Sequence, residues 1–242
     1  MSRIETENFF RSECSGSSCL PILVPGHERS GKLVKPLLKP KERNGTDEWI
    51  KQQSFVAVSS VLEGVGTSAY LGAAALIANK DYLTAAGGIL TVEARHSAYI
   101  RASLKESPFP QPFDDPLTPN EVYSLAAPFI VSCPPSNPPL PVKAYPRLAL
   151  ATTGPIKSGD TIVLSTPGYV LSPPSGSGAS LYAAFITLTG PLFVEAAKVS
   201  NGYDVVVPNG INGQSYVVLT SCNATVSDAT IAAGPAIVEV TN

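Results

Sequence analysis

The sequence predicts an α+β protein: two long helices packed antiparallel, followed by a small antiparallel β-sandwich. Of 23 prolines, 19 lie after Glu106, so long helices can form only before that point, because a proline inside a helix costs about 3 kcal/mol. Trp49 to Lys105 contains no proline and repeats apolar residues at three- and four-residue steps. From Leu148 onward, short β-branched runs alternate with glycine, proline, asparagine and serine clusters. Helices first and strands afterwards give an α+β order rather than a β-α weave.

The first 48 residues read as a poorly structured arm, since Gly26, Gly31 and Gly45 alternate with prolines and scattered charges and no helical stripe emerges. Residues 49–106 read as a helical hairpin. Asp47 is placed to cap the first helix, and Phe55, Val58, Leu62, Val65, Ala69 and Ala73 mark one face of it. Gly64, Gly66 and Gly72 weaken its propensity and suit a place where another helix approaches closely. Asn79-Lys80-Asp81 forms the turn, with Asp81 as the next cap, and Leu83, Ala86, Ile89, Leu90, Ala94, Ser97, Ile100 and Leu104 continue a second helix over Tyr82 to Lys105.

Residues 107–147 are proline-dense, with one short helix opened by the capping box Thr118-Pro119-Asn120-Glu121 and ended by Pro128. Phe109, Phe113, Tyr123 and Phe129 predict that this segment lies against the helices rather than swinging as a linker. Residues 148–242 form the sandwich. Its expected strands are Thr161–Ser165, Ala183–Leu188, Leu192–Val199, Tyr203–Val207, Tyr216–Thr220 and Ala236–Val240.

Composition removes several function classes. With 44 % apolar and 15 % charged residues over 242 positions, the chain can bury a core without disulfide staples and is no highly charged disordered protein. A net charge of −2 argues against a nucleic-acid partner. The longest apolar stretch, Thr67 to Ala78, is too short to span a bilayer, and no apolar run of signal-peptide length follows the N-terminus. Cys14 and Cys19 lack the partners of a zinc site, a Cys133–Cys222 bridge is conceivable, and unbridged thiols are the simpler expectation. The sequons at Asn44 and Asn223 would matter only in a secreted chain. With two histidines and no glycine-rich phosphate loop, no nucleophilic triad or nucleotide site can be read, and no enzyme activity is expected.

One constellation carries chemistry. Glu93 and His96 stand three apart on the second helix, so they project from one face a turn apart. Glu63 is the one acid in the interior of the first helix, amid Val58, Val61, Leu62 and Val65, where a carboxylate is costly to bury without a cation. Counted from the turn, Glu63 and Glu93 are level to within about one helical turn. A glutamate facing Glu-x-x-His from the neighbouring helix is half of a di-metal carboxylate site. The competing reading of Glu-x-x-His is a solvated helix face. Tyr70 and Tyr99 could donate to the ligands, though aromatics at these positions more often serve a core.

Gly66-Thr67-Ser68-Ala69-Tyr70-Leu71-Gly72-Ala73-Ala74 and Ile89-Leu90-Thr91-Val92-Glu93-Ala94-Arg95-His96-Ser97-Ala98-Tyr99-Ile100-Arg101 resemble the ferritin-like domain family, in its fungal stress-response and plant desiccation-related branch. Pro119 to Ile130 and Ala233 to Val240 resemble the same branch. The resemblance implies a partial ferritin-like bundle, with Glu63, Glu93 and His96 as metal ligands of its second half and iron or manganese as the metal. It also implies a secreted protein and a first helix pair with its own Glu and Glu-x-x-His, neither of which this sequence displays. Two helices alone leave apolar stripes uncovered. Either the proline-rich segment or the sandwich covers them, or a homodimer through the helix pair completes both bundle and site, or the chain folds poorly. The functional expectation is a ferritin-like, stress-associated protein. The alternative is a non-enzymatic protective protein whose sandwich binds a wall polymer or a protein partner.

Overall fold

The computed structural model describes residues 45–130, 132–171 and 180–241, with side chains from residue 55 onward. The expected arm, with Cys14, Cys19, His27 and the Asn44 sequon, lies outside the described residues.

Helix α1 spans Gly45–Ala73 and runs into a 3-10 turn, Ala74–Leu76. It starts ahead of Asp47, which therefore sits inside the helix instead of capping it, since nothing between Gly45 and Trp49 forbids helical backbone. Helix α2 spans Lys80–Ser103. Its cap is Asn79 rather than Asp81: the Asn79 side chain accepts from the backbone N–H groups of Asp81 and Tyr82, and Asp81 in the first turn complements the helix dipole. The two helices fold back on one another along their length. Helix α3, Pro119–Ala126, opens with the expected capping box. Thr118 N–H donates to Glu121 Oε2 at 2.7 Å and Glu121 N–H to Thr118 Oγ1, and Glu121 is buried there.

Among the described residues, eight strands form two four-stranded antiparallel sheets: β1 Ala149–Leu150, β2 Thr161–Ser165, β3 Tyr182–Phe185, β4 Leu192–Glu195, β5 Ala197–Val199, β6 Gly202–Val206, β7 Gly213–Thr220 and β8 Ile231–Val240. One sheet runs β1-β2-β6-β5 and the other β4-β3-β7-β8. The fold is the expected α+β arrangement, a helical pair followed by a sandwich. The single strand expected over Leu192–Val199 is two. The chain changes sheets at buried Ala196, so β4 pairs with β3 and β5 with β6. β8 also starts five residues earlier than expected. It passes through Gly234-Pro235 by a bulge opposite Val218, where Gly234 adopts φ +117° and a Cβ would come 3.0 Å from the Val218 backbone.

Two cores result. The first lies between the sheets and is built from Ile162, Leu164, Phe185, Val217, Leu219 and Val238. The second lies on the outer face of the β7 sheet, where Tyr216, Val218 and Ile231 meet Val65 of α1 and Leu117 of the proline-rich segment. β7 is therefore buried on both faces, which explains the unbroken apolar run Tyr216-Val217-Val218-Leu219.

The glycines of α1 do admit close neighbours: α2, through Glu93, at Gly66, but not a helix at Gly72 or Gly64. At Gly72 a Cβ would stand 1.9 Å from the Leu117 carbonyl oxygen, and Leu117 N–H donates to the Ser68 carbonyl at 3.1 Å. At Gly64 the neighbour is the side chain of Gln214 on β7. The proline-rich segment thus lies on α1 as a strap through Leu117, while Phe109, Phe113 and Phe129, the aromatics expected to hold it there, are exposed. The far end of α2 is pinned to the sandwich by Arg101, whose guanidinium bonds both carboxylate oxygens of Glu239 on β8 at 2.8 and 3.0 Å.

Strap and sandwich cover one side of α1 only. Phe55, Val58 and Leu62 on α1, and Ile89 and Tyr99 on α2, remain exposed. Phe55–Leu76 is long and apolar enough to cross a membrane by length and composition, at a mean hydropathy of 1.2, with 22 % of that window buried. The partners it shows are protein: α2 on one flank, strap and β7 on another.

Candidate metal centre

Helical geometry brings the three predicted ligands together. Glu63 lies midway along α1, and Glu93 and His96 face it from consecutive turns of α2. His96 Nδ1 is 3.1 Å from Glu63 Oε2. One ligand atom from each of Glu63, Glu93 and His96 lies within 4.8 Å of the other two. Glu63 is nearly buried, at 9 % exposure, while the His96 side chain retains 27 %, so the cluster opens to solvent on the imidazole side.

The electrostatics are those of acids held close with little water. Burial first, and then the Glu63 carboxylate beside it, push the Glu93 acid up to about 7. Glu93 therefore keeps its proton to a higher pH than an ordinary carboxyl does. Room for Glu93 is made by Gly66 on α1: a Cβ there would stand 3.3 Å from Glu93 Oε2. The sequence marked that glycine as a place for a close helix, and the register of the two helices shows that the neighbour is Glu93. Thr67 Oγ1 returns a hydrogen bond to the Glu63 carbonyl, and Tyr70 lies near enough to Glu93 for burial and that charge to raise its phenol. Tyr99 is 79 % exposed and serves neither the cluster nor a core, contrary to both expectations for it.

The donor set fits a cation of the iron or manganese class. Two ligands each about 2.1 Å from one octahedral ion stand about 3 Å apart when adjacent and about 4.2 Å when opposite. The measured spacings need only a small closure to reach that geometry. Two carboxylates with one imidazole suit such a metal better than the thiolate-rich sets of structural zinc. Three donors leave positions open. Elsewhere, Cys133 and Cys222 are not joined in a disulfide.

A family model described as a ferritin-like domain matches residues 33–106. The helical pair is similar to that domain. The match spans both long helices and all three candidate ligands, and its residues 33–44 lie outside the described structure. No curated protein matches the chain.

Proposed function

We infer that this is a ferritin-like, stress-associated protein that holds iron or manganese at Glu63, Glu93 and His96 and works as a binding protein rather than an enzyme. The single observation that carries metal binding is the convergence of three ligand atoms within 4.8 Å from two helices. The stress association rests on the resemblance of Gly66–Ala74, Ile89–Arg101 and the segments after them. When bound, the metal would supply a strong positive charge that favours the ionised form of both acids and ties the helices together.

Three protein donors are half of what a carboxylate-bridged pair of ions uses. The exposed residues Phe55, Val58 and Leu62 recur at helical spacing beside Gly66, and Ile89 and Tyr99 lie a helical repeat or less from His96. We assign this face to a second copy of the chain, which would cover the apolar residues and bring a second Glu-Glu-His set to the first. The fungal stress-response and plant desiccation-related branch is the family placement we favour.

The test is metal content by mass spectrometry of the purified chain, with Glu93→Ala as the control, alongside light scattering. Iron or manganese in the parent, absent from Glu93→Ala, is the expected result. Equal metal in both overturns the site. Metal with a monomeric mass removes the second copy and leaves the site standing.

A further inference from the structure

A hollow of about 840 Å³ lies between α1, α2 and the strap, with β7 at its floor, within the ordinary size range of a small-molecule site. We propose that it binds a neutral, hydroxyl-rich ligand, a saccharide. None of Glu63, Glu93 or His96 lines it, so the proposal stands apart from the metal site.

The hollow exists because of the sequence. Where a helix packs on a sheet, large apolar residues normally fill the space. Here both helices present small ones: Gly64, Thr67 and Ser68 from α1, and Ala94, Ser97 and Ala98 from α2. Its polar groups are held in place from behind. The buried Tyr216 hydroxyl accepts from Ser68 Oγ at 3.0 Å and from Gln214 Nε2 at 2.9 Å. Gln214 Nε2 also reaches the Val61 carbonyl of α1. Asp115, 4 % exposed, is held by Gln111 Nε2 at 3.1 Å. Accepting from both neighbours leaves the Tyr216 hydroxyl its own proton to donate, and the Asp115 carboxylate accepts.

The strap supplies the other half of the chemistry. Phe109 is 80 % exposed and Phe113 57 %, so neither is explained by the core. They alternate with Pro108, Pro110 and Pro112, which fix the backbone and lower the entropy lost on binding. A flat apolar ring beside fixed polar groups suits a ligand with an apolar face and a hydroxyl edge.

Charge narrows the class. The Arg101 guanidinium is already matched by Glu239 at 2.8 Å and Glu106 at 3.5 Å. That leaves Arg95 against Asp114 and Asp115, with no cationic surplus to attract a phosphate or sulfate ester.

The experiment is titration calorimetry of the full chain with maltose, cellobiose and chitobiose, with co-sedimentation on cellulose and chitin as a second arm to separate free sugar from polymer. Saturable binding of one disaccharide, weakened at least about tenfold by Phe109→Ala at an unchanged thermal midpoint, is the expected result. Asp114→Asn, also at an exposed position, should weaken it without unfolding the protein. No saturable binding of any of the three, or binding that ignores Phe109→Ala, overturns the proposal. So does a calcium titration that binds through Asp115 while the sugars do not.

Discussion

The Glu63–Glu93 pair shows how much one carboxyl's state depends on its neighbour. In an unfolded chain Glu93 titrates near 4.5, and in the fold it is held up to about 7 by burial and by Glu63. The folded state therefore binds the proton more tightly than the unfolded state does. The sign follows: the strain of this acid is absent below about pH 4.5, and stability falls as the pH rises from there through about 7. Glu93→Gln removes the titration. In chelator-treated protein, its thermal midpoint relative to the parent should climb between pH 4.5 and pH 8 and then level off. Thermal denaturation at those two pH values checks this, and a constant difference would contradict it. A cation restores the reason for two acids to share the seam, which is why Glu63 could be singled out from sequence: an acid inside an apolar stripe calls for compensation.

Among the elements, α1 and α2 were legible from periodicity, and α3 from its capping box, because those signals are local. The glycines were legible only as an invitation to close approach. What approaches is the Leu117 backbone at Gly72, not a helix, and no local pattern encodes that. Gly72→Ala tests it. Alanine favours a helix by about 1 kcal/mol, but its Cβ would meet the Leu117 carbonyl at 1.9 Å, and overpacking of this kind costs about 1–3 kcal/mol. A net loss in urea denaturation is expected. Gly87→Ala on α2, with nothing within 4 Å of the new Cβ, should instead gain about 0.5–1 kcal/mol. If both variants shifted the same way, the strap would not lie where it is described. Strand boundaries failed at Ala196 and Gly234 for a related reason: a change of sheet and a bulge are set by partner strands, not by the run of residues itself.

For the whole molecule, the decisive contact is Arg101, which carries the end of the helical pair onto the sandwich. It is 6 % exposed, bonds Glu239 through two nitrogens, and donates from Nε to the Ser107 carbonyl at 2.8 Å. Arg101→Met keeps the stem and removes the charge, and should cost about 2 kcal/mol in urea denaturation. Glu239→Gln should cost less in that background than in the parent, since the two groups act as a pair. Additive losses would mean that the ion pair does not couple helices to sheet. The sandwich has its own core between its sheets. Among the described residues the helical pair shares its core with the outer face of β7, and its Phe55, Val58 and Leu62 stay exposed.

By itself the sequence determined that helices precede strands, which residues line each helix, and that Glu63, Glu93 and His96 fall level with one another, because 3.6-residue periodicity and a short turn fix those relations locally. Only the tertiary structure decided that the strap, rather than another helix, lies against Gly72, that β7 is buried on both sides, and that small residues on two helices enclose a polar hollow. Those outcomes depend on contacts between segments far apart in the chain, whose positions no local pattern specifies.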